Sequence, residues 1–188
     1  MNRKTLLGVT AVILGLFLTA YFASPLVAVR GLISAAKAGD AVALAERVDF
    51  PAFRQSLKDE MNAQLVARMR SELKGSDRAF GGLGMMLAPA IIGGAVDSLV
   101  TPETIAAMVR SGQTPSATDP ARSDEVAQPA EPDNDIRQSY GYRSLDLFAV
   151  TLTDPDRPEQ ALDLLMERRG LFGWKLAGID LPPPAEPN

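Results

Sequence analysis

Five side chains stand out as candidates for chemistry: Asp97, Tyr142, Trp174, Arg54 and Lys58. Asp97 closes a run of 18 uncharged residues, 79–96. The plainer reading of Asp97 is a surface residue on a last helical turn; apolar surroundings would instead raise its pKa, and a raised carboxyl can serve as a general base near neutrality. With Tyr142 as hydrogen-bond donor, such a pair would suit an isomerase or a hydrolase. Arg54 and Lys58, four residues apart, fall on one helix face and could hold an acidic partner. Tyr142 and Trp174, with Tyr140, could line an apolar pocket, although Trp174 suits a core better.

The rest of the composition narrows this chemistry sharply. The 188 residues include no His and no Cys. That removes disulfides, thiol nucleophiles, imidazole bases and Cys/His metal sites. Three other prominent acids, Asp40, Asp49 and Glu103, sit where helix starts favour a negative group, which accounts for them without catalysis. The run Gly81-Gly82-Leu83-Gly84 lacks the following Lys-Ser/Thr and the preceding strand of a phosphate loop. No catalytic residue, metal or cofactor is therefore assigned. The net charge of −4 lies entirely within residues 111–138, where six acids face two bases. The neutral remainder lacks the clustered Lys and Arg that nucleic acid requires.

The elements that must position these groups begin with a membrane segment. Residues 5–23 carry no charge, and 19 residues of helix span roughly 28 Å, close to a bilayer core. Arg3 and Lys4 precede it, so the N-terminus is expected in the cytoplasm. The segment exceeds an ordinary signal-peptide core, and cleavage after Ala20 or Ala23 would place Leu18 or Tyr21 at −3, where a small residue is wanted. An uncleaved signal anchor follows.

Ser24-Pro25 is expected to break this helix and cap a second one, with Leu26, Val29, Leu32, Ile33 and Ala36 as its apolar face. Gly39 stops it, and Asp40 caps a short helix over 41–48. Pro51 opens a long helix striped by Phe53, Leu57, Met61, Leu65, Met69 and Leu73, ending at Gly75. Residues 79–96 meet the threshold for a second span, but four bases just before them oppose a hairpin with its N-terminus inside. A buried, Gly-loosened helical pair, or a surface leaning on the bilayer, is the alternative; Ala90 and Gly94 give a weak small-residue packing signal. Thr101-Pro102-Glu103 starts a helix that Gly112 ends. Residues 111–138 hold four Pro and almost no large apolar residue, a composition that forms a flexible loop. Alternation over 142–153, 161–168 and 171–181 then gives three antiparallel strands, the last two joined at Gly170. Pro182-Pro183-Pro184 ends the ordered part. The expected class is α+β: a transmembrane helix (1–23), a helical half (24–110), an acidic loop (111–138), a β half (139–182) and a tail (183–188).

Three runs, residues 24–58, 100–106 and 168–182, carry a resemblance. Its most specific parts are Val48-Asp49-Phe50-Pro51 with the following Arg54 and Ser56-Leu57-Lys58, and the closing Gly170-Leu171 with Trp174-Lys175-Leu176. The chain resembles a bacterial domain-of-unknown-function family, number 2939, over nearly its whole length outside the acidic loop. The resemblance implies a bacterial protein with an N-terminal membrane segment and no assigned activity; it transfers no catalytic residue. A looser fold analogy links the helix ending in the run 35–40 and the sheet closing over 173–182 to nuclear-transport-factor-two-like (cystatin-like) domains. The functional expectation is a single-pass inner-membrane protein with a periplasmic, non-catalytic domain for a protein partner, a lipid or a small apolar ligand. A carboxylate enzyme and a two-span membrane protein are the alternatives.

Overall fold

The computed structural model describes residues 3–72, 81–111 and 136–182. Five helices precede a four-stranded antiparallel sheet. The helices are α1 (Arg3–Ala38), α2 (Ala41–Arg47), α3 (Phe50–Glu72), α4 (Gly81–Leu99) and α5 (Pro102–Ser111); the strands are β1 (Arg137–Tyr142), β2 (Leu147–Asp154), β3 (Arg157–Arg169) and β4 (Gly173–Asp180). The expected stops at Gly75 and Gly112, the acidic loop apart from its two ends, and Pro183 and Pro184 lie outside the described residues.

The first correction concerns Pro25. The chain does not break there: α1 is a single helix of 36 residues with Pro25 inside it. Proline removes one helical N–H and crowds the preceding turn, which leaves the Tyr21 carbonyl without its usual donor. The Ser24 hydroxyl donates to that carbonyl at 2.7 Å. The Tyr142 hydroxyl donates to the neighbouring Phe22 carbonyl at 3.1 Å. Ser24 therefore repairs the helix instead of capping a new one, and Pro25 is itself fully buried.

Other boundaries follow their local chemistry. Gly39 adopts φ 59°, the left-handed conformation that closes α1, and a Cβ there would meet the Ala106 carbonyl at 3.0 Å. The Asp40 carboxylate accepts from the Ala43 N–H at 3.0 Å, and Asp49 accepts from the Ala52 N–H at 3.3 Å. Thr101 caps α5 through the Thr104 N–H at 3.2 Å.

The sheet is a meander of four strands, not three, in the order β1-β2-β3-β4. A bend at 143–146, where the N–H groups of Arg143 and Ser144 both donate to the Leu147 carbonyl, separates β1 from β2. β1 also reaches back to Arg137, into the stretch assigned to the loop, and β3 begins at Arg157. Gly170, at φ 83°, makes the β3–β4 turn. The β4 edge is covered. Val48 forms a parallel bridge to Leu176, the Asp49 N–H donates to the Leu176 carbonyl at 2.8 Å, and the Ser56 hydroxyl joins both backbone groups of Ile179 at 3.0 and 3.1 Å. A free edge strand invites association, and these contacts remove that hazard on one side.

The core lies between one sheet face and the helices. Phe148, Val150, Met166, Trp174 and Leu176 pack against Val29 of α1, Val48 and Phe50, with Leu32, Ile33 and Phe53 at the margin. A smaller cluster of Ala35, Leu44 and Ala106 joins α1, α2 and α5. The second half of α1 is thus part of the domain, while Leu7, Val9, Val12, Ile13, Leu14 and Leu16 in its first half are exposed. On α4, Val96 is buried and Ile92 and Leu99 are half-buried, whereas Pro89, Ala90, Ile91 and Gly94 face outward. Over residues 88–99 this helix packs on one side only.

Candidate functional site at the junction of helix and sheet

The five residues singled out in the sequence fall into two groups. Asp97, Arg54 and Lys58 meet where α3 packs on α4. Lys58 Nζ lies 2.6 Å from Asp97 Oδ1 and Arg54 Nε 3.6 Å from it, while Arg54 also donates to the Val100 carbonyl at 3.2 Å. The acidic partner that Arg54 and Lys58 could hold is therefore Asp97 of this same chain. Its side chain is 56% exposed and flanked by two cations, so it is the surface residue on a last helical turn and not a carboxyl in apolar surroundings. Such exposed pairs contribute about 0.2–1 kcal/mol each and serve here to fix the end of α4.

Tyr142 and Trp174 belong to the second group, at the seam between α1 and the sheet. Their rings meet at 6.0 Å, and both touch Phe148, at 5.1 and 6.2 Å, in edge-to-face contacts. The three rings close on one another, so the space imagined as a pocket is filled by aromatic packing. The indole N–H of Trp174 donates to Ser24 Oγ at 2.8 Å, and Ser24 donates onward to the Tyr21 carbonyl. This chain of hydrogen bonds ties β4 to the proline turn of α1. Aromatic contacts continue down the helix: Phe22 meets Tyr142 at 6.0 Å, Tyr21 meets Phe172 at 6.5 Å, and Phe17 meets Phe172 at 5.6 Å.

Arg168, which sequence reasoning missed, lies at the centre of this seam. Its guanidinium carbon sits 3.9 Å from the Tyr21 ring centre and 4.2 Å from that of Trp174, a cation held between two aromatic faces. The side chain is only 5% exposed. Nε donates to the Leu145 carbonyl at 2.9 Å and Nη1 to the Leu171 carbonyl at 2.7 Å, so one side chain pins the turns on either side of it. Nη2 is buried without a hydrogen-bond partner among the described residues. The signal was present in the alternation of β3: Leu162, Leu164, Met166 and Arg168 share a face, and Arg168 stands directly opposite Trp174.

Three further ion pairs border the seam. Arg143 and Thr151 both bond the buried Asp163 carboxylate, Thr151 at 2.5 Å. Arg169 Nη2 lies 2.8 Å from Asp49 and 3.0 Å from Glu167. The Arg169 guanidinium, and then the Ala52 N–H, hold the Asp49 carboxyl below its ordinary value of 3.8, and Asp49 in turn raises Arg169. A carboxyl depressed by folding contributes stability above its unfolded pKa and loses it as pH falls through the folded value. Asp49→Asn keeps a capping side chain but removes the charge. It is expected to lower the urea midpoint at neutral pH and to flatten the acid limb below about pH 4. Midpoints for both proteins, measured from neutral to acid pH, check this; parallel curves would contradict it.

Among the described residues no three acids gather to hold a metal ion. The chain belongs to a family described as protein of unknown function (DUF2939), whose model matches residues 14–108, just over half its length. The match runs from within α1 to within α5 and does not reach the sheet, so the closing run over 168–182 lies beyond it. No curated protein and no solved structure matches, and the analogy to nuclear-transport-factor-two-like domains gains no support from one.

Proposed function

We propose that this family member is a signal-anchored bacterial envelope protein. Residues 5–23 cross the inner membrane once, the N-terminus stays in the cytoplasm, and the α+β domain stands in the periplasm as a non-catalytic interaction module for a lipid or protein partner at the membrane surface. The observation that carries the reading is the single course of α1. Its first half is bare and apolar, and among the described residues it is the one helix long and apolar enough to cross a membrane. Its second half is built into the domain core.

That continuity also argues for an uncleaved anchor. Cleavage after Ala20 or Ala23 would leave a charged amino terminus beside Tyr21 or at Ser24, inside the contacts to Arg168 and Trp174. The interaction role is favoured over catalysis because Asp97 is paired and the Tyr142 hydroxyl is committed to Phe22. A protein or lipid partner is favoured over a small apolar ligand because the aromatic rings fill the space between them. The one-sided packing of α4, with Asp97 bonded to α3, favours one span over two.

Periplasm-active reporter fusions after Gly75 and after Gly112 test the topology. Both are expected to be active, and the intact mass of the membrane-extracted chain is expected to retain residues 5–23. Reporters on opposite sides would establish two spans, and loss of the N-terminal segment would replace the anchor with a cleaved signal.

A further inference from the structure

We propose that one end of the sheet enters the bilayer beside the anchor, with Leu171, Phe172 and Leu145 as its wedge. The inference rests on the anchor reading above and adds a second, peripheral contact with the same membrane. In this meander the β1–β2 and β3–β4 connections lie at one end of the sheet, and the β2–β3 turn lies at the other. Three large apolar side chains crowd the first end in the open: Leu145 at 64%, Leu171 at 62% and Phe172 at 45% exposure.

Their level relative to the membrane is set by α1. The Phe172 ring packs on Phe17 and Tyr21, both within the apolar segment. Phe17 lies six residues before Ala23, or about 9 Å along the helix axis. If residues 5–23 are in lipid, the β3–β4 turn shares the depth of Phe17 to Tyr21 and meets the boundary between headgroups and acyl chains. Phe17, Tyr21, Phe22 and Phe172 then form an interfacial aromatic belt.

The wedge is rigid, because Arg168 bonds the carbonyls of both Leu145 and Leu171 from between the Tyr21 and Trp174 rings. A rigid wedge loses little freedom on insertion. With α1 unbroken through Pro25, the domain is fixed in tilt against the bilayer instead of swinging on a tether. The partner of this face is therefore the lipid surface.

The chain has no Cys, so single labels are straightforward. Leu171→Cys, Leu145→Cys and Phe172→Cys, each carrying an environment-sensitive fluorophore, are reconstituted as full-length protein in phosphatidylethanolamine–phosphatidylglycerol vesicles. Ile13→Cys reports the span, and Asp156→Cys reports the far turn. The expected result is blue-shifted emission at 171, 172 and 145, with several-fold stronger quenching by nitroxide-labelled lipid than at 156 and weaker quenching by aqueous iodide. Leu171 and Leu145 project into the open, so labels there leave the fold intact even if the one at Phe172 does not. Lipid signals at 13 with aqueous signals at 171 and 145 would overturn the wedge and leave the anchor standing. Aqueous signals at 13 as well would overturn both.

Discussion

Replacing Trp174 with alanine is expected to lower the unfolding free energy by about 3–5 kcal/mol, the range for truncating a buried large aromatic. Against a typical domain stability of about 5–15 kcal/mol, that is a large share of the total. The ring is buried against Phe148 and Tyr142 and covers one face of Arg168. Its N–H holds Ser24, and through Ser24 the carbonyl freed by Pro25. A double-mutant cycle separates packing from hydrogen bonding. Trp174→Phe keeps an aromatic ring and removes the donor, and Ser24→Ala removes the acceptor along with the repair of the proline turn. A coupling of about 1 kcal/mol between them is expected for residues in one hydrogen-bonded network. Urea unfolding of the full chain in detergent, followed by circular dichroism, gives all four corners. A loss below about 1 kcal/mol for Trp174→Ala would mean that the indole is no part of the cooperative core.

Features written into neighbouring residues were legible in the sequence. Asp40, Asp49 and Thr101 cap the helices that follow them, and Gly39 ends α1, because each depends on a few adjacent backbone groups. Pro25 was misread for the converse reason. Whether a proline breaks a helix depends on who supports the carbonyls around it, and one of the two donors, Tyr142, which bonds the Phe22 carbonyl beside the freed one, is 120 residues away. Of β1, only Tyr142 falls within the alternation over 142–153, because β1 is exposed throughout, and that alternation runs on through the bend at 143–146 into β2.

The candidate groups were legible by type more than by partner. The Arg54 and Lys58 pair suggested an acidic counterpart, but nothing local identified Asp97, which arrives only when α4 folds back on α3. Trp174 reads as core, which it is, whereas Tyr142 reads as the lining of a space. Their rings are the right distance apart to fill it, and that depends on α1 crossing the sheet face. Arg168 gives no sign of burial by type, since charged residues are ordinarily surface residues. Its place on the core face of β3 was nonetheless written in the alternation.

Arg168→Met is the second large effect, and the sign has to be argued. Burying a guanidinium is costly, and Nη2 gains no hydrogen bond in return, so an apolar substitute of similar length would recover the desolvation cost. Against that stand two charge-assisted hydrogen bonds to the carbonyls of Leu145 and Leu171 and two cation–π contacts. Charge-assisted bonds contribute about 1.5–3 kcal/mol each, and a desolvated cation–π contact up to about 2 kcal/mol. Together they exceed the penalty, and a net loss of about 2–3 kcal/mol is expected. Lysine should not rescue it, because an ammonium cannot lie flat between two rings and reach two diverging carbonyls at once. The loss should also be local: amide hydrogen exchange is expected to accelerate at 143–146 and 170–172, the turns that Arg168 ties together, before it accelerates along β2. If Arg168→Met proves neutral and both turns stay protected, the guanidinium does not hold this end of the sheet.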